Sequence, residues 1–222
     1  MKKFLCILLA CLFVVVSSSL AEGKLSVVQK NVHFAAEKTF FFAKVVNEGD
    51  AEIGYNDGKL VIFDKNDELI VANEYIRSIP YKTFLKPQEY TYIMDSAYDK
   101  LAADNLGDVK FSVKSTERGY KYDLVESSVE VTPKTDDQYQ SYFAKITFTN
   151  TLEKMKGKWT LAFAATDKEG NIWCVDHTTL DDVAVHPGST VTVSIYLDRD
   201  LVMLWPDYSE LTFESFAYYI EE

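Results

Sequence analysis

Val191-Thr192-Val193-Ser194-Ile195-Tyr196-Leu197 decides how the rest of the chain is read. Val191, Val193, Ile195 and Leu197 occupy alternate positions, with Thr192, Ser194 and Tyr196 between them. Successive side chains of a strand point to opposite faces, so this run predicts a strand with one face buried. Trp159, Leu161, Phe163 and Ala165 alternate in the same way, as do Val109, Phe111 and Val113 around Lys110 and Ser112. Turn-forming clusters fall between such runs: Asn47-Glu48-Gly49-Asp50, Asn56-Asp57-Gly58, Asp64-Lys65-Asn66-Asp67, Lys168-Glu169-Gly170-Asn171 and His186-Pro187-Gly188. Short alternating strands punctuated by turns predict an all-β sandwich fold.

One segment departs from this rhythm. Asp95 to Gly107 opens on capping residues, closes on glycine and places Ala97, Leu101 and Leu106 on one stripe, which predicts a short helix. Its counterpart is expected between Asp198 and Ser209, where Pro206 would stop a helix early.

The chain also resembles itself. Phe41-Phe42-Ala43-Lys44 matches Tyr142-Phe143-Ala144-Lys145, and Asp64-Lys65 matches Asp167-Lys168. Leu85-Lys86-Pro87 matches Val185-His186-Pro187, and Val109-Lys110-Phe111 matches Leu211-Thr212-Phe213. The four matches keep their order at offsets of roughly 100 residues, the size of one immunoglobulin-like sandwich. A duplication is therefore expected, with one β-sandwich domain over 22–125 and a second over 126–222. No Gly/Ser- or Pro-rich linker lies near Leu124 to Ser128, so the two are expected to abut with limited freedom.

The order of strand, Asn-containing turn, strand, Asp-Lys turn and x-x-Pro before another strand resembles the FxLYD-type and related immunoglobulin-like domains of bacterial secreted proteins. Asn47, Asp64-Lys65 and Pro87 carry the resemblance in the first half, and Asn150, Asp167-Lys168 and Pro187-Gly188 in the second. Where that family has its aromatic-x-Leu-Tyr-Asp core, this chain has Val61-Ile62-Phe63-Asp64 and Ala164-Ala165-Thr166-Asp167. The resemblance implies an exported accessory module.

Export is also read from the first residues. Met1-Lys2-Lys3, an apolar run from Phe4 to Val16 and Ser19-Leu20-Ala21 form a signal peptide, residues 1–21, with cleavage after Ala21. Leu8-Leu9-Ala10-Cys11 offers a lipoprotein signal as the rival, although the apolar run continues past Cys11. The mature chain is expected to have no membrane span and to be secreted or associated with the cell envelope. With Lys2 and Lys3 gone, 21 basic side chains face 34 acidic ones, so the net charge moves from −11 to −13. A surface this negative repels nucleic acid. Cys6 and Cys11 leave with the leader, so Cys174 has no partner for an internal disulfide.

Candidate chemistry is sparse. Asp64, Asn66 and Glu68 alternate as calcium ligands do, and so do Asp167, Glu169 and Asn171. Position six of each run is Leu69 or Ile172 instead of glycine, which favours hairpin turns in which Asp and Asn bond their own backbone. Cys174 and His177 are close in sequence, but in a strand they point to opposite faces. His33, His177 and His186 show no metal-ligand grouping. Neither a Gly-x-Ser-x-Gly turn nor a glycine-rich phosphate loop occurs. No catalytic residue, metal or cofactor is assigned.

Aromatic side chains give the remaining lead. Trp205-Pro206-Asp207-Tyr208 is expected in a loop, where Trp205 and Tyr208 could face a ligand. Tyr90 with Tyr92, and Tyr120 with Tyr122, could line a sheet face. The expected function is an exported, non-enzymatic binding or interaction protein of the bacterial cell envelope or exterior, with a protein or cell-wall polysaccharide as partner. A carbohydrate-binding module and a hydrolase with paired carboxylates are the alternatives.

Overall fold

The computed structural model describes residues 22–98, 103–133, 142–154, 157–181 and 183–220. The expected signal peptide lies outside the described residues. Eight strands precede residue 117: β1 (Leu25–Ala35), β2 (Lys38–Asn47), β3 (Ile53–Asp64), β4 (Leu69–Ile76), β5 (Ser78–Ile79), β6 (Phe84–Leu85), β7 (Tyr90–Tyr98) and β8 (Leu106–Thr116). Seven follow: β9 (Asp123–Val125), β10 (Ser127–Val131), β11 (Phe143–Thr149), β12 (Lys158–Asp167), β13 (Ile172–Leu180), β14 (Thr190–Tyr196) and β15 (Leu211–Ile220). Every pairing between these strands is antiparallel. The fold is all-β, as the alternation predicts.

Four sheets result. Sheet I runs β1-β2-β7-β5, and sheet II is built on β3, with β4 and β6 in one path and β8 also paired to β3. Sheet III runs β13-β12-β15-β9, and sheet IV runs β10-β11-β14. The order β1-β2-β7 thus returns as β10-β11-β14, and the trio β4, β3, β8 returns as β13, β12, β15.

The hairpin turns repeat at atomic detail. Asp64 Oδ1 accepts the backbone N–H groups of Asn66 and Glu68, both at 2.8 Å. Asp167 Oδ1 accepts those of Glu169 (3.0 Å) and Asn171 (2.8 Å). Each aspartate closes its own turn, as expected of Asp at such a position. The fourth residue needs positive φ in both turns, supplied by Asp67 (φ 62°) and Gly170 (φ 82°).

Two of the sequence matches sit out of the structural register: Val109 pairs with Ile62 as Phe213, not Leu211, pairs with Ala165, and the Phe41-to-Lys44 match is displaced likewise. Counted from Asn47 and Asn150 at the strand ends, Ala43 corresponds to Ile146 and Val45 to Phe148. The ladders agree, because Val45 pairs with Thr91 as Phe148 pairs with Val191. The match of Ala43 to Ala144 is therefore shifted by two residues. An even shift keeps the same faces buried, so the pattern survives it.

Sheets I and II enclose a core of Phe41, Ala43, Val45 and Ile93 against Tyr55, Leu60, Ile62, Val71 and Ile76. Sheets III and IV enclose another, in which Phe148, Ile146 and Ile195 meet Trp159, Leu161, Phe163 and Tyr219. This second core continues through sheet III. Ala162, Ala164 and Val175, on the far side of that sheet, belong to one buried cluster with Phe40, Phe42 and Tyr92 of sheet I. The sheets are consequently stacked in the order II, I, III, IV, and sheets I and III are covered on both faces. Strand β12 records this directly: Trp159 to Ala165 are all buried.

The contact between sheets I and III is aromatic and specific. His33 stacks on Trp173 with ring centroids 4.7 Å apart, and its Nε2 lies 2.7 Å from the Ile172 carbonyl oxygen. Tyr90 and Tyr92 pack on Phe216 at 6.1 and 6.0 Å and donate their hydroxyls to Glu214 Oε2 at 3.1 and 3.2 Å. Lys44 Nζ sits 3.6 Å from the centre of the Tyr90 ring. Tyr90 and Tyr92 do line a sheet face, but that face is covered. Burial and the neighbouring Glu214 carboxylate push the Tyr90 hydroxyl up to about 12.

The helix expected over Asp95 to Gly107 is not formed where its ends are described. Asp95 to Tyr98 continue β7, pairing with Phe41 to Lys38 of β2, and Leu106 and Gly107 begin β8. Residues 99–102 lie outside the described residues, and Ala103–Asn105 form one 3-10 turn. Ladder pairing to β2 and β3 overrides the local helix signals. The second expected helix exists as α1 (Arg199–Val202), where Asp198 caps the N–H groups of Asp200 and Leu201 and the helix ends before Pro206.

Candidate functional site

Stacking sheet III on sheet I leaves a cleft of about 730 Å³ at one side of their contact. Its size is that of ordinary ligand sites. One wall carries Tyr75, Arg77 and Tyr81 from the end of β4 and the loop around β5, together with Met94 and Ser96 of β7. The opposite wall carries Lys158 and Thr160 of β12 with His177 and Thr179 of β13. Tyr120 and Tyr122, from the segment that joins the two sets of strands, close a third side. Neither set of strands forms this cleft alone.

Hydrogen bonds fix the loop bearing Tyr81. The Ser78 hydroxyl donates to the Pro80 carbonyl (2.7 Å), the Thr91 hydroxyl to the Ile79 carbonyl (2.7 Å) and the Tyr122 hydroxyl to the Tyr81 carbonyl (2.9 Å). Backbone bonds from Tyr120 to Lys82 and from Phe84 to Tyr120 tie the joining segment to the same loop. Gly119 makes that approach possible, since a β-carbon there would sit 2.7 Å from the Lys82 carbonyl oxygen. Tyr122 also packs edge-on against Tyr218, and burial pushes its hydroxyl up to about 12. Tyr75, Tyr81 and Tyr120 are exposed, at 78%, 42% and 48%.

The charges of the cleft are few. Arg77 is exposed, and its guanidinium lies 4.8 Å from the centre of the Tyr81 ring. Lys158 pairs with Asp181 at 2.8 Å. His177 keeps solvent access, yet the protein packed around its ring desolvates it enough to hold it below the usual histidine range, which favours its neutral form. Among the described residues, Asp95 is the one carboxylate lining the cleft. Burial raises its pKa, and its Oδ2 accepts the Asn73 amide at 3.0 Å.

The aromatic pair singled out in the sequence lies elsewhere. Trp205 is 2% exposed and packs with Tyr208 (5.8 Å) and Phe213 (6.0 Å). Tyr208 is half-buried, and its hydroxyl donates to the Thr132 carbonyl at 2.7 Å. The loop folds back on the end of the second core, so the Trp205 ring is a core contact in this structure and offers no exposed stacking face. Of the tyrosines noted as sheet-lining, Tyr120 and Tyr122 do reach the cleft. Tyr75, Arg77 and Tyr81 were missed. The exposed Tyr75 at the end of β4 and the Tyr81-Lys82 turn gave a local hint, but the opposing wall lies roughly 80 to 100 residues further on.

Cys174 is buried and faces sheet IV, whereas His177 is exposed on the other face, as strand alternation predicts. Among the described residues no group of three or more His, Cys, Asp or Glu side chains could hold a metal ion. No helix among them is long and apolar enough to cross a membrane.

The site thus belongs to an all-β protein of stacked sheets with an inter-sheet, tyrosine-lined cleft. Compared with known proteins, the chain matches no family model, and no curated protein matches it significantly.

Proposed function

We propose that this chain is an exported, non-enzymatic binding protein of the bacterial envelope or exterior, built from two copies of one immunoglobulin-like sandwich, which holds its ligand in the cleft between them. The cleft itself carries this reading: both sets of strands supply its walls, its tyrosine-bearing loop is pinned by three hydrogen bonds, and its rings are exposed. Preformed sites of this size that combine rings with a few placed polar groups are the usual ligand sites of proteins. Binding is favoured over hydrolysis because glycoside cleavage needs two facing carboxylates, and among the described residues Asp95 alone supplies one on these walls. The apolar leader of residues 4–16 supports export.

A glycan array and envelope fractions probed with the mature chain test this reading. The wild type should retain a ligand that the Tyr81→Ala/Tyr120→Ala double variant does not, at an unchanged melting temperature. Equal retention by both proteins would remove the cleft as the site, and no retention by the wild type would remove the binding function.

A carbohydrate ligand is the more specific form of this reading. Exposed rings and the hydroxyls of Ser96 and Thr179 share one cleft, which suits a ligand with apolar ring faces and many hydroxyl groups.

A further inference from the structure

Arg77 carries a conclusion that rests on the cleft being the ligand site. Among the described residues, its side chain makes no ion pair and no hydrogen bond, and its guanidinium lies 4.8 Å from the centre of the Tyr81 ring. The chain has 34 acidic side chains against 23 basic ones. Lys158 meets Asp181 and Lys59 meets Glu74, whereas Lys82 joins Arg77 over the Tyr81 ring, with its Nζ 5.2 Å from the ring centre. An arginine whose N–H groups meet no acceptor among the described residues, amid such an excess of carboxylates, is poised for an anion from outside the chain. Stacking on Tyr81 holds the guanidinium while its planar edge stays free, and that edge matches the two oxygens of a carboxylate.

The surroundings extend the match. Tyr75 and Tyr120 present open ring faces, and Ser96 and Thr179 present hydroxyls. Asp95, the carboxylate on the Arg77 side, is engaged by Asn73.

We propose that the cleft binds an acidic glycan, a short chain of sugars bearing uronic-acid carboxylates, with Arg77 gripping one carboxylate in direct contact, where salt screens most of the repulsion from the rest of the negative surface, and Tyr75 and Tyr120 carrying sugar-ring faces. Arg77 is then the residue that selects acidic over neutral sugars.

The test is an array of oligogalacturonide, alginate and hyaluronan fragments, each beside its carboxyl-reduced form, probed with the mature protein, Arg77→Gln and Tyr81→Ala/Tyr120→Ala. At least one acidic form should bind about tenfold more tightly than its reduced counterpart, as expected for one charge-assisted contact. Arg77→Gln should erase that preference without changing the melting temperature, and the double tyrosine variant should bind neither form. Equal binding of acidic and reduced forms overturns the proposal, as does retention of only neutral glycans, sulfated glycans or peptides. In those cases the cleft stands as the site as long as the double variant loses the ligand. If the double variant binds as the wild type does, the cleft reading itself falls.

Discussion

Asn47 and Asn150 are buried at equivalent strand ends and make the same bonds. Each Nδ2 donates to the carbonyl four residues on, Ala51 at 2.7 Å or Lys154 at 2.8 Å, and to a carbonyl before the next proline turn, Leu85 at 3.0 Å or Val185 at 2.8 Å. Each backbone also exchanges two bonds with that turn, Asn47 with Gln88 and Glu89, and Asn150 with Gly188 and Ser189. Replacing either asparagine with alanine orphans one buried carbonyl, Leu85 or Val185, and further part-buried backbone groups. Asn47→Ala and Asn150→Ala should each lower stability by about 2–3 kcal/mol. Urea denaturation followed by circular dichroism measures the loss, and a change within error in either variant would contradict it.

The stack of His33 on Trp173 joins sheets I and III through a shared core. Unfolding should therefore be one cooperative transition, with far-ultraviolet circular dichroism and tryptophan fluorescence superimposing, although all three tryptophans lie in the second half. Trp173→Ala should lower stability by about 2–4 kcal/mol and leave one transition. Two separated calorimetric peaks in the wild type would show that the halves unfold independently.

Asp176 sits near Asp198 at the end of the second core, and burial first, then that neighbour, raises its pKa from 3.8 to about 6. Unfolding restores the ordinary value, so between pH 4 and pH 6, roughly, the folded chain holds a proton that the unfolded chain has released. Stability must fall as pH rises through this window, and the penalty is complete above it. Asp176→Asn keeps the acceptor for the His177 N–H, a 2.7 Å bond, and removes the charge. The variant should gain about 1–3 kcal/mol at pH 7 and no advantage below about pH 4. Melting temperatures across this range provide the check, and parallel curves for the two proteins would refute it.

Cys174 is 3% exposed, and burial pushes its thiol well above the usual range. The thiolate is the reactive species, so a thiol-specific reagent should label the native protein at least about a hundredfold more slowly than the urea-unfolded chain. Native protein should also run as a monomer on non-reducing gels. Rapid native labelling would mean that β13 opens readily.

Much of the fold is legible in period-two alternation, because one side of most strands meets a core. Strand β14 and the inner face of β12 read correctly for that reason. The double coverage of sheets I and III does not show, since small residues such as Thr160, Ala162 and Ala164 fill the outer positions of β12 and mimic an ordinary solvent face. Asp95 to Gly107 misled because its capping residues and glycine carry local helix information, while the pairing of Asp95 with Phe41 is a long-range fact. Trp205 misled because a proline-bearing loop reads as exposed, yet its ring plugs the second core. The cleft was invisible for a topological reason: residues 75–81 and 177–179 meet only when sheets distant in sequence are stacked.

The coverage of sheet I by sheet III bears on how such a chain can evolve. A recombination event that moved one half into another gene would carry Phe40, Phe42 and Tyr92, or Trp173 and Phe216, into water, and the transplanted piece would self-associate. The halves are bound to a common inheritance, and a change in the aromatic face of either is tolerated only with an answering change in its neighbour.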